Sequence, residues 1–234
     1  MIRLGILGAM ELEVETLLAA MEDRKSEVHA SSTFHAGKLE GLDVVVVQCG
    51  IGKVNAALCV QLLRDIYGVT HLVNTGIAGS LSASLDIGDL VVSRDAMYHD
   101  FDCCAFGYPK GQVPGMPLVF PADTALAEYA YGAAEEVNPG HCHMGRIASG
   151  DQFVADKVLK TNIIETTQAV CTEMEGAAIA HTAYRNSLPF VILRAISDKA
   201  DDSADMDYPT FERIAAQRCA QLTKVLARKL LENA

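Results

Sequence analysis

Short apolar runs rich in β-branched residues recur along this chain, and helical patterns alternate with them. The runs fall at Leu4–Leu7, Val44–Cys49, His71–Asn74, Asp89–Ser93, Arg146–Ser149, Ala169–Cys171 and Phe190–Ile196. They have the length of strands and are too short for buried helices. A further strand or hairpin is expected at Ser32–Leu39, ahead of the Glu40-Gly41 turn. Helices are expected over Glu11–Met21, Val54–Tyr67, Asp123–Val137, Asp156–Ile163, Glu175–Asn186 and Pro209–Leu231. In the last of these, Phe211, Ile214, Ala215, Leu222, Val225, Leu226 and Leu230 recur at helical spacing, and Pro209 is placed near the first turn. Such alternation implies a layered α/β domain with a largely parallel or mixed sheet.

In sheets of this kind ligands bind outside the carboxyl ends of the strands. Polar residues follow the apolar runs at Gly8-Ala9-Met10-Glu11-Leu12-Glu13, Ser149-Gly150-Asp151-Gln152-Phe153, Glu173-Met174-Glu175-Gly176 and Arg194-Ala195-Ile196-Ser197-Asp198. Glu13 lies on the same helical face as Met10, Val14, Leu17, Leu18 and Met21, so an acid is directed along the apolar side. A helix-dipole role accounts for Glu11 but not for an inward carboxylate. Ser197 and Asp198 end a strand that reads as fully buried. A long connection, Lys199 to Tyr208, separates them from the last helix, which argues against a capping role. The i, i+2 spacing of Glu173 and Glu175 sends them in different directions, so at most one is expected in a site. Phe153 reads equally as core or as a stacking aromatic.

The 234 residues suit one domain, 1–234, and half of them are hydrophobic. A formal charge of −11 argues against nucleic acid and anionic membrane partners. The seven cysteines form no CxxC pair, as expected of free thiols in a reducing cytosol. The Leu4–Met10 run is too short for a signal or a membrane span, so a cytoplasmic location is expected.

Other motifs fail on their chemistry. His141-Cys142-His143 lacks a second ligand pair, so no metal is expected. Asp201, Ser203, Asp205 and Glu212 fit some calcium-loop positions, but Met206 stands where that loop needs glycine. Gly50-Ile51-Gly52-Lys53 lacks the full P-loop spacing.

The residues above, taken in order, resemble the 5′-methylthioadenosine/S-adenosylhomocysteine nucleosidases of the purine nucleoside phosphorylase-like superfamily. The resemblance spans essentially the whole chain. It includes Gly5-Ile6-Leu7-Gly8-Ala9-Met10, Asn74-Thr75-Gly76-Ile77-Ala78-Gly79, Tyr98-His99-Asp100, Ala105-Phe106-Gly107-Tyr108, Gly111-Gln112-Val113-Pro114-Gly115, Glu173-Met174-Glu175 and the segment from Arg194 to Asp201. It implies a three-layer α/β/α fold around a twisted mixed sheet. It also implies hydrolysis of the N-glycosidic bond of 5′-methylthioadenosine, S-adenosylhomocysteine and 5′-deoxyadenosine, with no cofactor.

By the same resemblance, Asp198 protonates the departing adenine, Ser197 holds Asp198, and Glu13 polarises water with help from Arg194. Glu175 binds the ribose beside Met174, Phe153 stacks on adenine, and the Val154 backbone reads the purine edge. Met10, Ile51, Phe106 and Tyr208 line the alkylthio end; Ile77, Ala78, Gly79 and Ala200 complete the substrate contacts. A homodimer is implied, with the 101–121 loop completing the neighbouring site.

Ile77 stands where many relatives have serine, so contacts to water or sugar must come from elsewhere. The alternatives are a phosphate-dependent phosphorylase and a non-catalytic nucleoside binder. The first lacks its arginine and serine in the strand-end motif, and Glu13 would repel phosphate. The second would be expected to lose one of the acids.

Overall fold

A computed structural model describes residues 2–201 and 203–233; the side chains of Asp205 and Met206 also fall outside that description. The elements run β1 (Leu4–Gly8), α1 (Glu11–Ala20), β2 (Glu22–His29), β3 (Ser32–Leu39), β4 (Leu42–Gln48), α2 (Lys53–Asp65), β5 (His71–Ser80) and β6 (Leu90–Tyr98). They continue with β7 (Phe120–Pro121), α3 (Thr124–Val137), β8 (Cys142–Ser149), α4 (Lys157–Thr167), β9 (Cys171–Glu173), α5 (Gly176–Arg185), β10 (Phe190–Asp198) and α6 (Ala204–Glu232).

All the described strands join one mixed sheet in the order β10-β6-β8-β9-β5-β1-β4-β3-β2, with β7 beside β6. Strand β1 lies parallel between β4 and β5. Because β10 also pairs with β5, the strands β5, β10, β6, β8 and β9 curl into a closed ring, from which the others extend. Curling of this kind follows from the natural twist of strands.

The apolar runs are continuous because both faces are covered. Ile6, Val44, Val46, Val191 and Leu193 pack on α1, α3 and α6. Their neighbours Leu7, Val45, Val47 and Ile192 pack on α2 and α5 from the opposite side. A smaller cluster joins Leu81, Ala148, Val154, Ala169 and Ala200 to Ile163 of α4.

The structure departs from the sequence expectations most in β2, β5 and α6. Strand β2 is an exposed, charged edge strand with no apolar pattern to announce it. Strand β5 continues through Thr75–Ser80, six residues past the apolar run. Helix α6 begins at Ala204, so Pro209 lies inside it rather than in its first turn, and the connection from Asp198 is short. Asp198 still does not cap α6, because its carboxylate is bonded elsewhere, as described below.

Candidate active site

The carboxyl ends of β1, β5, β9 and β10 open onto a cavity of about 320 Å³. That volume is at the lower end of the range for small-molecule sites. Glu13, Glu173, Glu175 and Asp198 all line it. None of the described residues lining it is cationic.

Glu13 enters from the first turn of α1 and is 5% exposed. Its Oε2 accepts from the backbone N–H groups of Ala9 at 2.6 Å and Met10 at 2.9 Å, and its Oε1 from that of Ile77 at 3.1 Å. The turn between β1 and α1 therefore aims the carboxylate at the end of β5. A Cβ at position 76 would collide with Glu13 Oε1 and push the carboxylate out of place. Burial raises the Glu13 pKa, opposed first by the Arg194 charge and then by the three backbone bonds.

Asp198 arrives from β10, whose pairing with β5 slips between Ile196 and Asp198 so that Asp198 stands opposite Gly79. Such a bulge re-aims a side chain at a sheet end. Asp198 Oδ2 accepts from Ser197 Oγ at 2.8 Å and Oδ1 from the Ala200 N–H at 2.7 Å. Burial raises its pKa, and these two bonds oppose the rise. A Cβ at Gly79 would lie 2.8 Å from both Asp198 Oδ1 and Ala200 Cβ.

The expectation that only one of Glu173 and Glu175 enters the site is overturned. Glu173 ends β9 and is ion-paired with Arg194. Its Oε1 also accepts from Ser149 Oγ, and its Oε2 from the N–H groups of Glu175 at 3.1 Å and Gly176 at 2.7 Å. It thus holds the turn that sets Glu175. Glu175 Oε1 accepts from the Gly52 N–H at 2.8 Å. Its pKa is pushed up to about 8, by burial first and then by the Glu173 charge. Arg194 donates to Asn74 Oδ1 and to the Leu193 carbonyl as well as to Glu173. Arg194 lies behind the cavity wall and acts on Glu13 through its charge rather than through a hydrogen bond.

Met10, Ile51, Ile77, Ala78, Gly79, Phe153, Met174, Ser197 and Tyr208 line the same cavity. Phe153 meets Tyr208 edge-to-face at 5.4 Å, and the Tyr208 hydroxyl lies 3.3 Å from Met10 Sδ. Val154 lines only a small adjoining cleft of about 40 Å³ at the Phe153 end. Ala200 is fully buried beneath the wall beside Gly79. Phe106 does not reach the cavity of its own chain; it projects from a short turn at Cys104–Phe106 and is 81% exposed.

Glu173, Thr172 and Ala9 also line the cavity and were not expected there. Glu173 could have been found from the apolar run ending at Cys171, since a strand prolonged by two residues reaches it. Gly52 was also missed. Its loop resembled a phosphate loop, yet its N–H serves a carboxylate.

The remaining motifs resolve into local contacts. His141 Nδ1 and His143 Nε2 both turn to Asp89, at 3.1 and 3.2 Å. Asp201 accepts from the Ser203 N–H and hydroxyl, while the Asp205 side chain of the rejected calcium pattern is outside the described residues. Among the described residues, no cluster of three His, Cys, Asp or Glu side chains is placed to hold a metal ion. No described helix is long and apolar enough to cross a membrane.

The geometry can be set beside known proteins. The Phosphorylase superfamily model matches residues 3–228. The 5′-methylthioadenosine/S-adenosylhomocysteine nucleosidase of Chromohalobacter salexigens is 39% identical over 229 residues, covering 97% of each chain. The corresponding nucleosidase of Neisseria meningitidis, in complex with methylthio-immucillin-A, superposes with a TM-score of 0.95 at 37% identity, over 97% of this chain and 99% of that one. That of Colwellia psychrerythraea, in complex with adenine, gives 0.95 at 39% identity, over 98% and 96%.

Proposed function

The chain belongs to the 5′-methylthioadenosine/S-adenosylhomocysteine nucleosidases of the Phosphorylase superfamily, and from that membership we propose how its residues divide the reaction. The enzyme hydrolyses the N-glycosidic bond of 5′-methylthioadenosine and S-adenosylhomocysteine, releasing adenine and a 5-thioribose sugar. One observation carries the proposed mechanism: Glu13, from the first turn of α1 beyond β1, and Asp198, from the end of β10, reach the same cavity.

Adenine is a poor leaving group as an anion. Asp198, whose pKa burial raises, donates its proton to N7 as the C–N bond breaks. The Ser197 hydroxyl and the Ala200 N–H hold the acid in place and take up the negative charge left on its carboxylate. The ribosyl group develops oxocarbenium character. The Glu13 carboxylate stabilises that charge and accepts a proton from the water that attacks C1′. The Arg194 charge behind Glu13 favours its ionised form. Glu175 takes the ribose hydroxyls, Phe153 stacks on adenine, and the Val154 backbone reads the purine edge.

Met10, Ile51 and Tyr208 receive the alkylthio group. A second copy of the chain supplies Phe106 from its 101–121 loop, which makes the working unit a homodimer. Phe106 stands clear of its own chain's cavity and is 81% exposed, which leaves it free to reach a neighbour's site. With an apolar group accepted at C5′, 5′-deoxyadenosine is a third substrate, and the site of action is the cytoplasm.

Water is the nucleophile rather than phosphate, because the described cavity lining offers carboxylates and no cation. Incubation with 5′-methylthioadenosine in phosphate-free buffer tests this. Adenine should be released at full rate. A requirement for phosphate or arsenate would instead support a phosphorylase.

A further inference from the structure

The chain turns sharply after Asp198. Ala200 sits at φ +50°, a left-handed conformation that alanine holds only where its surroundings impose it. The Ala200 N–H is also the donor to Asp198 Oδ1. The aim of the acid therefore depends on this turn, and helix α4 meets the turn in two ways. Its Ile163 shares an apolar cluster with Ala200 and Val154, with Leu159 packed against it. Its Lys160 extends Nζ to the Lys199 carbonyl at 2.6 Å, with Asp201 Oδ2 3.8 Å away. From the other side, Lys199 Nζ donates to the Leu85 carbonyl at 2.5 Å and to Asp86 Oδ1 at 2.9 Å.

The Lys160 side chain is only 19% exposed. A lysine normally keeps its ammonium in water, and ordering its long stem costs rotamer entropy. Here the ammonium donates instead to one backbone carbonyl, that of the residue between the acid and Ala200, with the Asp201 carboxylate as its ion-pair partner.

We propose that Lys160 is a positioning residue for Asp198: by holding the Lys199 carbonyl, it fixes the turn whose Ala200 N–H aims the acid at the departing base. This rests on the assignment of Asp198 as the acid. Lys160 does not touch substrate. Its influence falls on leaving-group protonation and spares the binding of the sugar and alkylthio ends.

Two ligands separate these effects. Methylthio-immucillin-A carries an N–H at purine position 7, where the acid acts. 5′-Methylthiotubercidin carries a C–H there and makes no hydrogen bond to the acid. Lys160→Met keeps the stem and removes the ammonium; Lys160→Arg returns a donor. Lys160→Met should weaken methylthio-immucillin-A by about ten-fold or more while leaving 5′-methylthiotubercidin within about two-fold. The kcat for 5′-methylthioadenosine should fall in parallel with the first ligand, KM should change little, and Lys160→Arg should restore most of both losses. Equal weakening of the two ligands, no weakening of either, or a loss that arginine fails to restore would overturn the proposal. Unaltered protein that binds neither ligand and releases no adenine would overturn the assignment of Asp198 with it.

Discussion

The carboxylate of Glu173 is ion-paired with the guanidinium of Arg194, and both side chains are buried at the floor of the active site. Removing one member of such a pair leaves the other charge uncompensated, at a cost of about 3–5 kcal/mol. Glu173→Gln should therefore lower unfolding free energy in urea by about 3 kcal/mol and reduce turnover, because the same carboxylate holds the Glu175 turn. A variant with an unchanged urea midpoint would show that Arg194 is satisfied without Glu173.

Gly79 is fixed by what stands opposite it. An added methyl would lie 2.8 Å from Asp198 Oδ1 and displace it. A shift of about 1 Å in a reacting group can cost on the order of 100-fold in rate. Gly79→Ala should lose that much in kcat while retaining a folded circular dichroism spectrum. Normal kcat would mean that Asp198 need not hold its observed place.

Glu175 links stability to pH. Its pKa rises from an ordinary 4.5 to about 8 in the folded protein, through burial first and the Glu173 charge second. The folded state thus holds this proton more tightly than the unfolded chain. The resulting stabilisation is complete below about pH 4.5 and is lost as pH climbs through 8. Glu175→Gln has no proton to lose, so it should flatten that decline and exceed the parent in stability at pH 8 by roughly 1 kcal/mol or more. Thermal melts across this interval check it; parallel curves for the two proteins would contradict the buried, protonated carboxyl.

Phe106 tests the completed pocket. Its exposure within one chain means that Phe106→Ala should leave protomer stability within about 0.5 kcal/mol. If a neighbour's Phe106 covers the alkylthio group, KM for 5′-methylthioadenosine should rise several-fold. Sedimentation should show a dimer whose dissociation on dilution raises KM in the same way. A fully active monomer would remove the loop from the site.

Much of this was legible from residue order. The runs at Val44–Cys49 and Phe190–Ile196 announced strands, the second of them fully buried, and strand ends located Glu13 and Asp198. What could not be read was set by tertiary pairing. Strand β2 carries charges because both its faces and one edge meet solvent, so it had no apolar period. Thr75–Ser80 became strand because β10 runs alongside and supplies hydrogen bonds that local propensity does not foresee. Helix α6 starts ahead of Pro209 although proline favours a first turn. The i, i+2 rule failed for Glu173 and Glu175 because the chain leaves the strand between them: Glu173 has extended backbone pairing, whereas Glu175 already heads α5. The partner of Arg194 lies 21 residues away in sequence and becomes its neighbour only when β9 and β10 flank β5.

The central claim is that two carboxylates act from opposite sides of one sugar. Its most direct test is single-turnover release of adenine from 5′-methylthioadenosine by Glu13→Gln and Asp198→Asn, with methylthio-immucillin-A binding to verify an intact site. Each variant should bind the ligand detectably yet release adenine at least about 1,000-fold more slowly than the parent, since Asp198→Asn loses the general acid and Glu13→Gln loses the general base together with charge stabilisation. Release at a near-parent rate by either variant would contradict the account.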